Sequence, residues 1–422
     1  MASPSSYDAT SVASIMSYAE GLIGKSLSEH LQNEPESLGE TNKGDLGTLV
    51  QTLFFGLEAD NISQPDFFAA GLELKTTGVI QARSGQFKAK ERLVLMMIDY
   101  SKIVEETWET SALLKKCRLI LLLAYLFDKE TTPINRTFVL GPILLDLLSH
   151  EFHEVKSDWE TIRQTVVDGK AHELSEGDTF VLGACRKGAG GPSEPLRSQP
   201  NSGEGAKARA YSFKQSFLTQ IISANSEQKN VIEALPNLRN VPRSAFSEFL
   251  GLSIEQLAAH FDFYKKSKNH KGYHRQLAEK MLIEGGSSKA DLADFGIEMK
   301  TIRLGSNGRP REHMSFRGFE FMDLVNQDWE DSSFFESLES KFLFVVYRLG
   351  ADGVERLDHA MYWNMPYEDR LEARRVWEDA RARILVDATD LPTARESVVA
   401  HVRPKGRDGS DKVRTPQGTM HL

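Results

Sequence analysis

Apolar positions along the chain follow a helical spacing in some stretches and form short continuous runs in others. Apolar residues three and four positions apart predict an amphipathic helix over 11–31 and a second helix over 45–57. Short apolar runs at 71–75, 93–99 and 119–127 predict strands of a buried or half-buried sheet. The first part of the chain is therefore predicted to place two helices before a sheet.

The remainder of the first half continues the mixed pattern. A helix is predicted over 141–169, a strand over 179–185 and a further helix over 209–224. A Gly-, Pro- and Ser-rich loop fills 188–206. The polar, proline-containing stretch around 226–243 is typical of a linker between domains.

The second half repeats this order of elements. A helix predicted over 246–259 is followed by strands over 295–304 and 341–349, a helix over 366–385 and a strand over 396–404. A repeat this long indicates duplicated domains rather than a solenoid. We therefore predict an α/β chain.

The length of the chain supports two domains. A chain of 422 residues is long for one hydrophobic core. We predict an N-terminal domain over 1–228, a linker over 229–243 and a C-terminal domain over 244–422.

Composition narrows the class of protein. The net charge of −9 provides no global basic field, although a local basic surface is compatible with it. The only cysteines, Cys117 and Cys185, cannot form a disulfide framework or a cysteine-rich zinc site. The longest apolar run, at 119–127, is about half of the ~20 residues that a membrane helix needs, and the N-terminus lacks the pattern of a signal peptide. A reducing, cytoplasmic location is expected.

One acidic phrase occurs twice. DFFAAGLELKT at 66–76 and DLADFGIEMKT at 291–301 share Asp, Gly, Glu, Lys and Thr at matching positions. Alternate residues of a strand face the same side, so the Glu and the Lys of each phrase should point together. The Asp of each phrase is expected on a turn that folds back beside the Glu.

This grouping has a chemical interpretation. Two carboxylates that approach each other repel, and a divalent cation such as Mg²⁺ removes that penalty. A neighbouring lysine can stabilise charge that develops on a scissile phosphate. A single Glu-x-Lys is more often a solvated strand face with a weak ion pair, but two copies in matching contexts favour phosphodiester hydrolysis.

The surrounding residues resemble a known family. KGDLGTLVQ at 43–51 precedes the first phrase and TWETS at 107–111 follows it. Together these residues resemble the MutH mismatch-repair endonuclease, and the tandem arrangement resembles the MutH-related type II restriction enzymes that cut at GATC. The resemblance extends from about residue 40 to the end of the chain. It implies two restriction-endonuclease-like domains with mixed central sheets flanked by helices, dependence on Mg²⁺, and double-stranded DNA as substrate.

The resemblance also implies roles for residues of the first half. Asp66, Glu73 and Lys75 match the catalytic motif, with Asp66 and Glu73 as ligands of Mg²⁺. A further family Glu on the upstream helix falls at Gln51, which is a departure from the family pattern. A basic residue before the third strand completes the family site, and the sequence leaves two choices open, Lys116 and Arg118.

The second half matches the same motif. KGYHRQLAE at 271–279 corresponds to 43–51 and supplies the acid that the first half lacks. Relatives usually have a second domain that binds DNA and regulates, whereas this half retains a catalytic-looking set, so one or two cutting domains stay open. The matching residues are the metal ligands Glu279, Asp291 and Glu298, the catalytic Lys300, the alternative acid Asp294 and the third-strand base Lys341.

DNA contacts are implied by further matches. The family reads DNA partly through an Arg-Pro loop, which HVRPKGRDG at 401–409 and, less closely, ACRKGAGG at 184–191 resemble. ARAYSFKQSF at 208–217 resembles the family's terminal DNA-contacting segment. The predicted DNA-binding residues are Lys43, Arg186, Arg209, Tyr211, Lys214, Lys271, Arg403 and Pro404.

The sequence thus predicts a Mg²⁺-dependent, site-specific endonuclease for double-stranded DNA, with GATC as its target. Two alternatives remain: a DNA-binding protein without nuclease activity, which Gln51 motivates, and a mismatch-repair nickase like MutH. No membrane partner is expected. A DNA methyltransferase of the same system is an expected partner, and the chain is expected to act as a monomer or to dimerise on DNA.

Overall fold

The structure is a computed structural model of the whole chain. It describes residues 7–31, 46–58, 63–188, 194–226, 238–263, 272–403 and 412–421. The chain divides into two compact units. Unit 1 comprises 1–172, 179–186 and 196–236, and unit 2 comprises 173–178, 187–195 and 237–422. The predicted linker over 229–243 lies mostly outside the described residues, so that boundary stays a prediction.

The described part of unit 1 contains two sheets. Its described strands are β1 (Leu72–Gln81), β2 (Phe87–Ala89), β3 (Leu93–Met97), β4 (Leu119–Leu126), β5 (Ile143–Asp146), β6 (Leu182–Arg186) and β7 (Arg209–Phe213). The first sheet has the order β2-β1-β4-β5 and is mixed, because β1 and β4 are parallel while the outer pairs are antiparallel. The second sheet has the order β3-β7-β6 and is antiparallel.

Helices flank these sheets. The described helices of unit 1 are α1 (Val12–Ala19), α2 (Leu27–Leu31), α3 (Leu46–Leu49), α4 (Tyr100–Ile103), α5 (Ala112–Cys117), α6 (His153–Val167) and α7 (Gln215–Ser226). A π-helical turn, Val50–Phe54, continues α3. The helix predicted over 11–31 is broken into α1, a 3-10 turn at Glu20–Leu22 and α2, with Gly24 in the left-handed region at φ 74° between them.

The parallel pair β1 and β4 forms the framework of the site. Residues 120–124 of β4 are buried, as expected for a continuous apolar strand covered on both faces. Gly71 adopts φ 64°, ends the 3-10 turn Phe68–Ala70 and directs the chain into β1. This turn brings Asp66 back beside the start of the strand. The strands predicted at 93–99 and 119–127 are confirmed as β3 and β4.

Two helix predictions in unit 1 are wrong in part. Residues 143–146, inside the predicted helix over 141–169, form β5, because this apolar run pairs with β4 as an edge strand. Residues 209–213, inside the predicted helix over 209–224, form β7. This strand lies between β3 and β6 and is buried at every position. Its sequence includes the polar residues Arg209 and Ser212, so it forms neither a continuous apolar run nor a regular alternation that would mark it as a strand.

Unit 2 contains a second mixed sheet. Its strands in the described residues are β8 (Ile297–Leu304), β9 (Lys341–Leu349) and β10 (Glu355–Trp363), with a short pair β11 (Val413–Arg414) and β12 (Met420–His421). The sheet order is β10-β9-β8, with β8 and β9 parallel and β9 and β10 antiparallel. The described helices are α8 (Val241–Phe246), α9 (Ile254–His260), α10 (Tyr273–Glu284), α11 (Lys289–Asp294), α12 (Phe321–Asn326), α13 (Ser333–Leu338) and α14 (Tyr367–Val386).

Two predictions for unit 2 need correction. The helix predicted over 246–259 is the end of α8, a 3-10 turn and part of α9. The strand predicted over 396–404 is wrong, since 396–403 pair with no strand in the described chain and Val398 is fully exposed. Across the described residues, no helix has the length and apolar character needed to cross a bilayer.

Candidate active site

A cleft of about 950 Å³ opens in unit 1, lined by β1 of the first sheet and by β3 of the second. Residues of the first acidic phrase line it, among them Asp66, Glu73 and Lys75, and Lys116 joins them from α5. The cleft therefore collects the predicted catalytic residues of the first half in one place.

Glu73 lies at the centre of this group. Its side chain is only 2 % exposed, and each of its oxygens faces a lysine. Lys75 Nζ lies 2.8 Å from Glu73 Oε1, and Lys116 Nζ lies 3.1 Å from Glu73 Oε2. Lys116 also donates a hydrogen bond of 2.8 Å to the carbonyl oxygen of Gln64. The contact with Oε2 is an ion pair rather than an aligned hydrogen bond, since this buried oxygen accepts none.

Asp66 is fixed by two donors. Its Oδ2 accepts a hydrogen bond of 2.8 Å from the backbone N–H of Leu74, and its Oδ1 accepts one of 3.1 Å from the side-chain amide of Gln51. Burial raises the pKa of Asp66, and the negative charge of Glu73 raises it further. This shift is what two neighbouring buried carboxylates produce.

The basic groups respond to the same charges. Burial, the largest single influence, lowers the pKa of Lys75, but the negative charges around it, led by Glu73, and its hydrogen bond to Glu73 together outweigh burial, so the pKa is raised and the ammonium form is stabilised. Burial raises the pKa of the adjacent Cys117 thiol to about 12, which keeps this residue a neutral packing group.

The choice between Lys116 and Arg118 follows from the local fold. Helix α5 ends at Cys117 and β4 begins at Leu119, so Lys116 is on the last turn of the helix and reaches Glu73. Arg118 is exposed. The structure thus groups Asp66, Glu73, Lys75 and Lys116.

Ser111 fixes α5 and was missed at the sequence level. Its Oγ donates to the carbonyl oxygen of Trp108 at 2.8 Å and accepts from the N–H of Leu114 at 3.1 Å, as a helix N-cap does. Ser332 caps α13 with the same pair of contacts. The repeated Trp-Glu-x-Ser at 108–111 and 329–332 was the available signal.

The cluster fits a hard divalent cation. Mg²⁺ takes one or two carboxylates and completes its shell with water and substrate phosphate, and Asp66 and Glu73 supply such a pair. Glu73 Oε2, a buried oxygen that accepts no hydrogen bond from the described residues, has a lone pair that such a cation could use. In the described chain, no three His, Cys, Asp or Glu side chains are grouped so that they could hold a metal ion.

The second acidic phrase is arranged differently. Glu298 has a side chain that is 59 % exposed and pairs with Lys300 at 2.7 Å. Asp291 was expected on a turn beside Glu298, but it lies inside α11. There it forms a capping box with Ser288, whose backbone N–H donates to Asp291 Oδ2 at 2.6 Å. Glu279 lies 3.6 Å from Arg275 and from Lys289 in ion pairs. Among the described residues of this half, no group like that of unit 1 forms, and Asp294 also belongs to α11.

The strand register shows one cause of the difference. Leu119 of β4 and Lys341 of β9 are equivalent positions. Leu119 lies opposite the first residue of β1, and Lys341 lies opposite the first residue of β8. One helical turn earlier, unit 1 has Lys116 and unit 2 has the buried Leu338. Lys341 itself contacts the carbonyl oxygen of Asp178 at 3.4 Å within unit 2.

The predicted DNA-binding residues are dispersed. Arg209 is buried and donates to the carbonyl oxygen of Ala184 at 2.6 Å. Tyr211 is buried as well, and burial raises its pKa well above the ordinary value. Lys214 donates to the carbonyl oxygen of Thr179 at 2.5 Å. Arg209 and Tyr211 are thus packed within the strand layer, Tyr211 also lines the cleft, and the DNA contacts of these residues stay a prediction.

Two predicted contacts are at or near the surface. Arg186 is half-buried at the end of β6, and Arg403 is exposed. Lys43, Lys271 and Pro404 lie outside the described residues.

Comparison with known proteins agrees with the doubled arrangement. The family model described as DNA mismatch repair enzyme MutH matches residues 55–158 and 282–372, one segment in each unit. The type II restriction enzyme Sau3AI of Staphylococcus aureus is 33 % identical over 388 residues, which cover 86 % of this chain and 77 % of that enzyme. The DNA mismatch repair protein MutH of Shewanella sp. (strain MR-4) is 27 % identical over 202 residues, covering 42 % of this chain and 91 % of MutH. MutH of Vibrio campbellii (strain ATCC BAA-1116) is 26 % identical over 228 residues, which cover 51 % of this chain and 97 % of that MutH.

Proposed function

The chain belongs to the MutH-related family of DNA endonucleases that includes type II restriction enzymes, and on this premise we propose that it cuts double-stranded DNA at GATC with Mg²⁺ as cofactor. The family membership and the mixed α/β fold agree with the resemblance drawn from the sequence. The target sequence and the identity of the metal are the proposed parts.

The grouping of two carboxylates and two ammonium groups in the cleft carries this proposal. Asp66 and Glu73 would hold the cation. Mg²⁺, when bound, supplies positive charge that stabilises the charge developing on the phosphate. Lys75 and Lys116 each have an ammonium group beside Glu73. Both would bind the non-bridging oxygens of a scissile phosphate that lies next to this carboxylate. Such donors stabilise the phosphorane-like charge without reorganisation.

We propose that unit 1 cuts and that unit 2 binds DNA without cutting. The support is the contrast between the two phrases: Glu73 is buried between two lysines, whereas Glu298 is mostly exposed and pairs with Lys300 alone among the described residues. Asp291 is engaged in capping its own helix. Arg186 and Arg403, whose side chains are at least partly accessible, would contact phosphates or guanine edges.

Location and partner proteins belong to the same proposal. Both cysteines are free thiols, which is compatible with the reducing cytoplasm. A DNA methyltransferase that modifies the same target sequence would be the partner of this endonuclease.

Plasmid cleavage tests the proposal. Purified protein is incubated with Mg²⁺ and an unmethylated plasmid that carries GATC sites, and a plasmid from which every GATC has been removed is the control. We expect discrete fragments from the first plasmid, no cutting of the second and no cutting with EDTA. Nicked circles without linear products would indicate a mismatch-repair type of nickase instead. Tight DNA binding without any cutting would indicate the binding-protein alternative.

A further inference from the structure

The catalytic cluster has no net charge. Asp66 and Glu73 contribute two negative charges, Lys75 and Lys116 contribute two positive charges, and Gln51 contributes none. A divalent cation that approaches this cluster from solvent therefore finds no excess of negative charge. The neutral amide of Gln51 contributes to this balance, since it occupies Asp66 Oδ1 as a donor.

The carboxylate oxygens are also already engaged. Glu73 faces Lys75 through Oε1 and Lys116 through Oε2, while Asp66 accepts from Gln51 and from Leu74. A cation that binds alone must displace at least one of these donors. It also leaves two uncompensated positive charges in a group whose central carboxylate is almost fully buried. Both changes are costly where water is excluded.

A DNA phosphate changes this balance. Its non-bridging oxygens can accept hydrogen bonds from the ammonium groups of Lys75 and Lys116. This releases the oxygens of Glu73, which can then bind the cation. Its negative charge offsets part of the charge that the cation adds. The cation in turn lowers the repulsion between the phosphate and the two carboxylates. Each ligand therefore improves binding of the other, and this coupling is reciprocal.

We infer that this site takes up its divalent cation together with a DNA phosphate rather than before it, and that the neutral side chain of Gln51 sets this order. The inference rests on the proposed function, since it assumes that DNA enters the cleft. It adds a binding rule to that function: the free protein has weak affinity for the cation, and the DNA complex has strong affinity. An acid at position 51 would give the free cluster one net negative charge and weaken the dependence on DNA.

Calorimetric titration with Ca²⁺, which prefers the same oxygen ligands as Mg²⁺, tests the inference. The intact protein is titrated alone and in complex with a short GATC duplex, and a gel confirms that the DNA remains uncut. We expect Ca²⁺ to bind about tenfold or more tightly to the complex, within the range typical of coupled sites. Asp66→Asn protein with the same duplex gives the background of Ca²⁺ bound by DNA itself.

Charge variants separate the role of Gln51 from general effects. Gln51→Glu should tighten Ca²⁺ binding to the free protein about tenfold and reduce the difference between free protein and complex. Lys116→Gln makes the same charge change from the other side of the cluster and should act in the same direction. Lys102→Gln is the matched control, because Lys102 is exposed on the cleft wall and pairs with Asp99 at 3.5 Å instead. It should leave Ca²⁺ affinity of the free protein unchanged.

The outcomes distinguish the inference from the proposed function. Equal Ca²⁺ affinity with and without DNA, in a protein that cuts DNA with Mg²⁺, overturns the inference and leaves the function intact. Unchanged Ca²⁺ affinity in folded Gln51→Glu protein overturns the role of Gln51. A protein that neither binds nor cuts DNA overturns both.

Discussion

Lys116 Nζ lies 3.1 Å from Glu73 Oε2, while Lys75 Nζ lies 2.8 Å from the other oxygen of the same carboxylate. The two lysines reach Glu73 from different elements, since Lys75 lies on the same strand as Glu73 and Lys116 lies in the last turn of the helix that precedes the parallel partner strand. The cluster therefore depends on the packing of α5 against β1. The same packing brings Lys116, rather than Arg118, to Glu73.

Removing the Lys116 ammonium should slow cleavage without unfolding the protein. We expect Lys116→Met to lower the cleavage rate about 100-fold, because a positioned donor to the phosphate is lost. Arg118→Met is the matched control, with the same loss of charge at an exposed position next to the site, and should stay within about twofold of the intact protein. Single-turnover cleavage of a GATC duplex measures both. A larger loss in Arg118→Met would show that the wrong basic residue has been assigned.

The two helix caps should differ in their effect on activity but not on stability. Ser111 and Ser332 make the same contacts at the starts of α5 and α13. Each Ser→Ala change should cost about 1–2 kcal/mol of unfolding free energy. Only Ser111→Ala should also slow cleavage, because α5 positions Lys116. Denaturant unfolding and cleavage at low temperature test this pair, and equal activity losses would argue against a site confined to unit 1.

The carboxylate of Glu355 should make unit 2 sensitive to acid. Burial opposes its ionisation, yet hydrogen bonds from His274 and Arg303 lower the pKa of Glu355 from 4.5 to about 2. A lowered pKa contributes stability that is fully present above about pH 4.5 and is lost as the pH falls toward about 2. Glu355→Gln should lower the free energy of unfolding of unit 2 by about 3 kcal/mol at neutral pH. This difference from the intact protein should shrink as the pH falls from about 4.5 toward about 2.

Calorimetry of the full chain measures this effect on the unfolding of unit 2. Glu312→Gln is the control, since Glu312 also contacts Arg303 but is 70 % exposed. The Glu312→Gln change should lower the free energy of unfolding by less than about 1 kcal/mol. If both variants lose the same stability at neutral pH, the ion pair of Glu355 with Arg303 is not the cause.

Strand alternation was sufficient to predict that Glu73 and Lys75 point together, because that geometry depends only on neighbouring residues. Lys116 could not be chosen over Arg118, since the choice depends on the residue at which α5 ends. Asp291 was expected on a turn, and the structure places it in a helix that Ser288 begins. A Ser three residues before an acid is a capping-box signal, and it was available in the sequence.

The missed strands have a different cause. Residues 209–213 are buried at every position between two partner strands, and the buried polar residues Arg209 and Ser212 interrupt the apolar run that would otherwise predict a buried strand. Residues 143–146 follow Gly141 and Pro142 and pair as an edge strand, and only the position of β4 makes them a strand. In both cases long-range pairing decides the structure, and local propensity carries little information about it.

The central claim is that unit 1 cuts DNA through the cluster around Glu73 and that unit 2, which carries Glu298, does not cut. Plasmid cleavage with Mg²⁺ by the intact protein, Glu73→Ala and Glu298→Ala tests it most directly, with circular dichroism to confirm that each variant is folded. The account predicts site-specific linear fragments from the intact protein and from Glu298→Ala, and none from Glu73→Ala. Cleavage that persists in Glu73→Ala and disappears in Glu298→Ala would contradict it, as would nicked circles from each variant, which would mean that each unit cuts one strand.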